Sequence, residues 1–370
     1  MIAFLRSTDG NPDSRLQKYI DAVVEKKISF LVFCWDRNLK FTDNKNYVYY
    51  HKKAVYGSGM KNMTRLLGFN LFLFKQLISN RKKIEIIHAC DFDTILPAIF
   101  MKIFFHKKVI YDIFDWFVDS RELHNPFIKS CILSFEYIAL KLSDRTIVCE
   151  EERKKQIKFQ PKNIWVLPNI PNFKPLNTSE TEEIETPIKV SYVGVLTKHR
   201  GIEKVIKYAE THPDQINLEI AGFGELEELI KQACKKVNNI HYWGTVPYEK
   251  GIEIMKNSDI ILAIYEKTIP NHIYAAPNKY YEGLYLGKPI LTTKDTYVGI
   301  KTEKYNTGFT INEDINELKT LFSKESLRSE INRYKVNARN LWKTKYSNYI
   351  STFMNEVYIP FILLNVKKHK

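Results

Sequence analysis

The 370-residue chain reads as an α/β protein of two doubly wound parallel sheets. Three observations predict this. Short apolar runs alternate with amphipathic helical stretches, the pattern of strand–helix–strand units. The alternation breaks once, at residues 171–187, where Pro171, Pro175 and Pro187 flank the acidic run 179–186, and then restarts. The length is also more than one core comfortably fills.

The elements follow in order. Ile2 to Leu5 is a strand, and Asp13-Ser14-Arg15 opens a helix to about Glu25. Strands at Ile28 to Phe33 and Tyr47 to Tyr50 precede a Leu- and Phe-rich helix from Arg65 to Ile78. Then come a strand at 84–88, a helix at 94–105, a strand at 109–113, a helix at 126–142, and strands at 145–149 and 164–167. After the break, strands are expected at 189–195, 218–221, 240–243, 260–264 and from Ile290, with helices at 202–210, 226–237, 248–256 and 277–287 between them. The division is therefore a first domain at 1–171, a linker at 172–187, a second domain at 188–345, and a C-terminal helix at 346–370. That last helix either packs back on the first domain or rests on a membrane.

The hydrophobic fraction, 44%, is that of a globular protein. The N-terminal apolar run soon meets Asp9, Asn11 and Asp13, which is not a signal-peptide layout. The longest apolar stretch, 126–142, is interrupted by Lys129, Glu136 and Lys141 and reads as amphipathic rather than membrane-spanning. Five scattered cysteines without Cys-x-x-Cys spacing point to a reducing cytoplasm and away from a disulfide frame or zinc site. The net charge of +14 is uneven: residues 1–178 hold 29 Lys+Arg and 18 Asp+Glu, hence +11, and the rest +3. A basic half attracts a polyanion: nucleic acid, anionic lipid or a phosphate-bearing substrate. Charge alone does not separate these from a solubility feature.

Four segments of the second half fall at strand ends, where open α/β sheets bind ligands. Tyr192 to Gly201 couples Gly194 to the basic cluster Lys198-His199-Arg200, suited to a diphosphate. Ile220 to Glu225 carries Gly222 and Gly224 in a tight turn. His241 to Pro247 is a strand end whose backbone can read a base edge, and taken alone it reads as a plain turn. Pro277-Asn278-Lys279-Tyr280-Tyr281-Glu282 starts a helix that Gly287 and Pro289 stop. Its free N–H groups favour an anion, and Glu282 shares a face with Asn278 and can accept two bonds from a ribose diol. Alone, Glu282 also reads as a solvated first-turn glutamate.

In order and spacing these motifs resemble glycosyltransferase family 4, of the GT-B fold: two Rossmann-like domains facing across a cleft. Segments 13–18, 32–37, 87–91, 109–112 and 166–169 fall where that family carries like segments. The resemblance implies retaining transfer from a nucleoside diphosphate sugar with no metal and no cofactor. Arg200 and Lys279 would stabilise the leaving diphosphate, and Glu282, matching the second glutamate of Glu-x7-Glu, would hold the ribose. Gly194, Gly222, Gly244, Thr245, Val246, Pro277 and Asn278 would line the donor site. Asp112 or Asp115 would orient the acceptor or act as base, with a cap or a pairing with Arg121 as the plain reading of Asp112. Arg15, His88 and Asp91 would contact the acceptor, with a satisfied histidine at a strand end as the plain and favoured reading of His88.

The chain departs from the pattern at Tyr274, where the first glutamate would stand, at Val195 in place of an arginine, and at Phe114 in place of a histidine. The Pro-Asn-Lys-x-x-Glu form resembles O-antigen and capsule enzymes, which implies a polyprenyl-diphosphate-linked glycan acceptor. The apolar and basic segments 65–81 and 101–108 and the tail 358–370 suit the inner, anionic face of the cytoplasmic membrane, and each also reads as an ordinary packed helix. The alternatives are a GT-B epimerase of nucleotide sugars and a non-catalytic membrane- or polyanion-binding protein. Nucleic acid is not an expected partner, since no exposed run interleaves basic and aromatic residues.

Overall fold

The computed structural model describes every residue except 11–12, 55–59, 120–124, 158–160, 162, 172, 174–183 and 367–370, and only the backbone of 60–63. Arg121 and most of the acidic linker thus lie outside the described residues, as does the basic tip of the tail. The chain divides into two compact units, Met1–Pro168 with Tyr349–Lys370, and Asn169–Asn348.

Unit 1 holds β1 (Ile2–Arg6), β2 (Phe30–Asp36), β3 (Tyr47–His51), β4 (Ile86–Cys90), β5 (Lys108–Ile113), β6 (Arg145–Val148) and β7 (Ile164–Val166). They form one seven-stranded sheet in the order β3-β2-β1-β4-β5-β6-β7, and all pairs are parallel. Along β1 the side chains alternate between two cores: Ala3 and Leu5 on one face, Ile2 and Phe4 on the other. The first face is covered by the helices Met60–Ser79, Phe92–Phe105 and Pro126–Leu142. The second takes the helix Ser14–Glu25 and, beside it, the C-terminal residues Phe353, Tyr358, Ile359 and Ile362. One twelve-residue helix cannot cover seven strands, and the chain's last turns complete the cover.

Unit 2 holds β8 (Ile188–Val193), β9 (Ile216–Ala221), β10 (Ile240–Tyr242), β11 (Ile260–Ala263), β12 (Ile290–Thr293) and β13 (Gly308–Ile311). The six are parallel, in the order β10-β9-β8-β11-β12-β13. Beyond the expected elements it adds β13 and the helices Tyr297–Tyr305, Ile315–Phe322 and Leu327–Leu341. In both sheets the winding reverses direction beside the first strand, at β1/β4 and β8/β11, which opens a crevice at the strands' carboxyl ends. The helix expected at 277–287 spans Asn278–Leu286; Pro277 is its extended N-cap, and Gly287 ends it at φ +65°.

Candidate functional site

The loops after β8, β9 and β10 are joined backbone to backbone. The Gly194 N–H donates to the Ala221 carbonyl (2.9 Å), Leu196 to Phe223 (2.8 Å) and Gly222 to Gly244 (2.8 Å). Gly222 has φ +145°, and a Cβ there would overlap the Gly194 carbonyl oxygen. Only glycine lets the two turns touch, and the contact leaves a backbone-walled hollow above the strand ends.

That hollow is a cavity of about 600 Å³ within unit 2. It brings together Gly194, Arg200, Gly222, Thr245, Val246, Pro277, Asn278, Lys279 and Glu282. Gly244 sits just behind, in a left-handed turn at φ +68° that aims Thr245 inward. Val195 is on the lining and Tyr274 is outside it.

Its charges are set by the helix Asn278–Leu286. Glu282 is buried and accepts a bond from the Tyr248 hydroxyl (3.2 Å). Burial pushes its carboxyl above the usual range, against the pull of Lys279 and that hydroxyl. The Lys279 ammonium stands 4.5 Å from the centre of the Tyr192 ring and packs under Gly194, where a Cβ would come within 2.8 Å of it. Burial, partly offset by Glu282 and reinforced by Arg200, lowers its pKa to about 8. The Arg200 guanidinium stacks 4.5 Å from the Tyr265 ring. Behind it, the Glu266 carboxylate takes His199 (2.9 Å) and Lys204 (2.8 Å), tying the loop after β8 to the loop after β11. Tyr192, Tyr248, Tyr265 and Glu266 were not foreseen as site residues. A tyrosine at a strand end looks like any core aromatic until its neighbours are known.

Residues 174–336 match the model of the family described as glycosyl transferases group 1. The match falls within unit 2. An uncharacterized glycosyltransferase of Methanocaldococcus jannaschii is 41% identical over 87 residues, a match spanning 22% of this chain and 22% of that protein. Among solved structures, sucrose-phosphate synthase of Thermosynechococcus elongatus has a TM-score of 0.72 at 13% identity, covering 98% of this chain and 100% of its own. HepE of Anabaena, in complex with UDP and glucose, has a TM-score of 0.66 at 13% identity, covering 98% and 100%. WaaG, a glycosyltransferase involved in lipopolysaccharide biosynthesis, has a TM-score of 0.66 at 14% identity, covering 96% and 99%. At such identities the likeness is one of fold: the GT-B architecture of two Rossmann-like domains, over nearly the whole chain.

The residues expected to meet the acceptor lie in unit 1, and three of them are interior. Asp112 is 0% exposed and accepts from Arg15 Nη2 (2.7 Å) and the Tyr19 hydroxyl (2.7 Å), with His88 Nε2 at 3.4 Å. Burial opposes its charge most strongly of any single cause, but Arg15 and His88 together outweigh it and hold the carboxyl well below the usual carboxylate range. Arg15 also donates to the Leu167 carbonyl (2.7 Å), and the other ring nitrogen of His88 meets the Tyr358 hydroxyl (2.8 Å). Asp112 and Arg15 are therefore corrected from acceptor or base roles to a buried ion-pair network, the partner of Asp112 being Arg15, and His88 is the satisfied strand-end histidine of its plain reading, pinning the tail. Asp91 keeps some exposure but is held by Arg6 (2.5 Å) and the Phe114 N–H (2.8 Å). Phe114 lies under the Arg6 guanidinium, 4.0 Å from its ring centre. Asp115 is half-exposed and paired with Arg153 (3.0 Å). The tail packs on unit 1 through Ile359, Phe361 and Ile362, with Leu363 and Leu364 outward.

Among the described residues, His88, Cys90 and Asp112 have ligand atoms within 4.8 Å of one another. They do not suit a metal ion. Asp112 is already spent on Arg15 and Tyr19, and a cation there would face the guanidinium.

Proposed function

We propose that the protein is a retaining glycosyltransferase. It moves a hexose or N-acetylhexosamine from a nucleoside diphosphate sugar to a polyprenyl-diphosphate-linked glycan in cell-surface polysaccharide synthesis. The observation that carries this reading is the single cavity where Arg200, Lys279, Glu282 and the start of the helix Asn278–Leu286 converge. HepE with bound UDP-glucose and the lipopolysaccharide enzyme WaaG share the fold and lend support to a nucleotide-sugar donor and a surface-glycan product.

The chemistry follows from the charges. The donor's ribose diol would bond the two oxygens of Glu282, displacing the Tyr248 hydroxyl from one. The diphosphate would lie at the helix start between Lys279 and Arg200. As the anomeric C–O bond to the diphosphate breaks, negative charge grows on that oxygen, and both cations and the helix N–H groups are already aimed at it. The acceptor hydroxyl attacks from the face the diphosphate leaves. Its proton passes to a departing phosphate oxygen, so the new bond keeps the configuration of the old. Asp112 is ruled out as base by its burial and its pairing with Arg15. Two fixed cations and a helix end already supply the counter-charge for which a divalent metal would serve, so the mechanism is proposed without one. The proposed location is the inner face of the cytoplasmic membrane, and none of the described helices is long and apolar enough to cross a membrane.

The test is a thermal-shift panel of UDP, GDP, ADP, CMP and their sugar conjugates on wild type and Glu282→Ala. One nucleotide should raise the melting temperature of the wild type and have far less effect on the variant. Equal shifts in both proteins would sink the ribose role. No shift with any nucleotide, in a protein that melts cooperatively, would sink the transferase reading.

A further inference from the structure

Four aromatic side chains line the cavity of unit 2, and three of them are engaged. The rings of Tyr192 and Tyr265 lie against Lys279 and Arg200, and the Tyr248 hydroxyl bonds Glu282. The fourth, Phe223, has neither a ring nor a cation against it among the described residues, and it is 56% exposed. Its place is fixed by backbone. Phe223 stands between Gly222 and Gly224, where a Cβ would strike the carbonyl oxygens of Gly194 and Leu196. Its own carbonyl accepts from the Leu196 N–H. The bonds from Gly194 to Ala221 and from Leu196 to Phe223 continue the register that pairs Val193 with Ala221, so Val195 stands beside Phe223. Val195 lines the same cavity and is 49% exposed. The two make a rigid apolar lip held half in solvent, which is costly without an occupant.

The surroundings narrow what that occupant is. The Gly222 N–H ties the lip to the turn after β10, whose Thr245, Val246 and Pro247 share the cavity wall. Val195, Phe223, Val246 and Pro247 give this wall apolar side chains; its polar groups are the Thr245 hydroxyl and the backbone. The cavity's charged side chains, Arg200, Lys279 and Glu282, are left for diphosphate and ribose. A sugar would bring a ring of hydroxyls to a wall with few partners for them. A flat heteroaromatic ring brings an apolar face for stacking and a polar edge for backbone groups. We propose that Phe223, flanked by Val195, is the platform on which the donor's nucleobase stacks. The inference rests on the nucleotide-sugar reading and adds to it the side chain that binds the base. Every base has a π-face, so this ring supplies affinity, and the choice among bases falls to the turn after β10.

The experiment is calorimetric titration of wild type, Phe223→Ala, Phe223→Leu and Phe223→Trp. The ligands are UDP, GDP, ADP, CDP and a methyl β-riboside diphosphate, which keeps the ribose and the diphosphate and lacks the base. Wild type should bind at least one nucleoside diphosphate about tenfold more tightly than the base-free compound. Phe223→Ala should lose about that factor for the nucleotide and keep its affinity for the base-free compound, and Phe223→Trp should keep both. Phe223→Leu retains an apolar side chain and removes the flat face, so it carries the test should the alanine variant melt early; it too should lose affinity for the nucleotide alone. An equal loss for both kinds of ligand would make the ring a support of its loop. No loss for either, or a wild type that binds nucleotide and base-free compound equally, would put the base elsewhere. Each of these results would overturn the inference and leave the transferase reading standing. A wild type that binds none of the compounds would overturn both.

Discussion

The two units use one sheet topology and spend their charges in opposite ways. At the carboxyl ends of β1, β4 and β5, Arg15, Asp112, His88 and Tyr358 close on one another, and Arg6 is shared between Asp13 and Asp91. At the corresponding ends in unit 2, Lys279, Glu282 and Arg200 face a cavity, held by tyrosines rather than by full ion pairs. Groups that neutralise each other fasten a fold. Groups left short of partners strain it and wait for a ligand. A site is thus recognised by incompletely satisfied charge, and strand-end position alone does not reveal it.

The comparison is broken most forcefully in unit 1. Arg15→Ala leaves the fully buried Asp112 without its main counter-charge, and should cost about 3–5 kcal/mol of unfolding free energy in a denaturant titration. A loss no larger than that of a surface arginine would mean the network is ornamental. Glu282→Ala should act with the other sign on the free protein. Removing a buried carboxylate whose pKa burial raises should leave apo stability unchanged or higher, while nucleotide affinity falls by about 1.5–3 kcal/mol per lost bond in calorimetry.

Lys279 sharpens the contrast through pH. Its pKa of about 8 lies below the ordinary 10.5, so between those values the unfolded chain binds the proton more readily. Stability of the free protein should therefore decline as pH falls from about 10.5 to about 8, then level off with respect to this group. Diphosphate binding favours the protonated lysine, so nucleotide affinity should drop about tenfold from pH 7 to 9, and Lys279→Arg should flatten that dependence. A wild-type profile as flat as the variant's would remove Lys279 from the anion site. The smallest effect is expected at Gly287→Ala. A left-handed φ of +65° costs an alanine about 1 kcal/mol, and the added Cβ makes the Arg339 side chain shift; the two together are seen as a fall in melting temperature with nucleotide affinity kept.

Much of the fold was legible because strand and helix periods alternate so regularly, and because Pro277, Gly287 and Pro289 punctuate the donor helix. The region after Ile290 was not. In Tyr297–Tyr305, Gly299 packs against the Thr293 carbonyl and Lys301 is buried among tyrosines, donating to the Tyr281 hydroxyl (2.7 Å). A glycine and a lysine at inward positions hide a core-facing helix from any apolar period. The cavity-lining residues were legible as a set because the turns after β8, β9 and β10 each carry a glycine and Pro277 marks the fourth element. The unit 1 residues were misread because Arg15 and Asp112 are 97 positions apart, and nothing local shows that they consume each other.

Tyr358 bonding His88 has a consequence for biosynthesis. Unit 2 is threaded between the seven strands of unit 1 and the turns that cover their second face. The first unit leaves the ribosome first, yet the part of its sheet beside the helix Ser14–Glu25 stays uncovered until all of the second has followed. Exposed apolar surface of that kind is what chaperones cover, whereas the core of unit 2 is contiguous in the chain. Order of emergence and order of completion are thus reversed for the two units, and the turns from Tyr349 to Val366 complete the first.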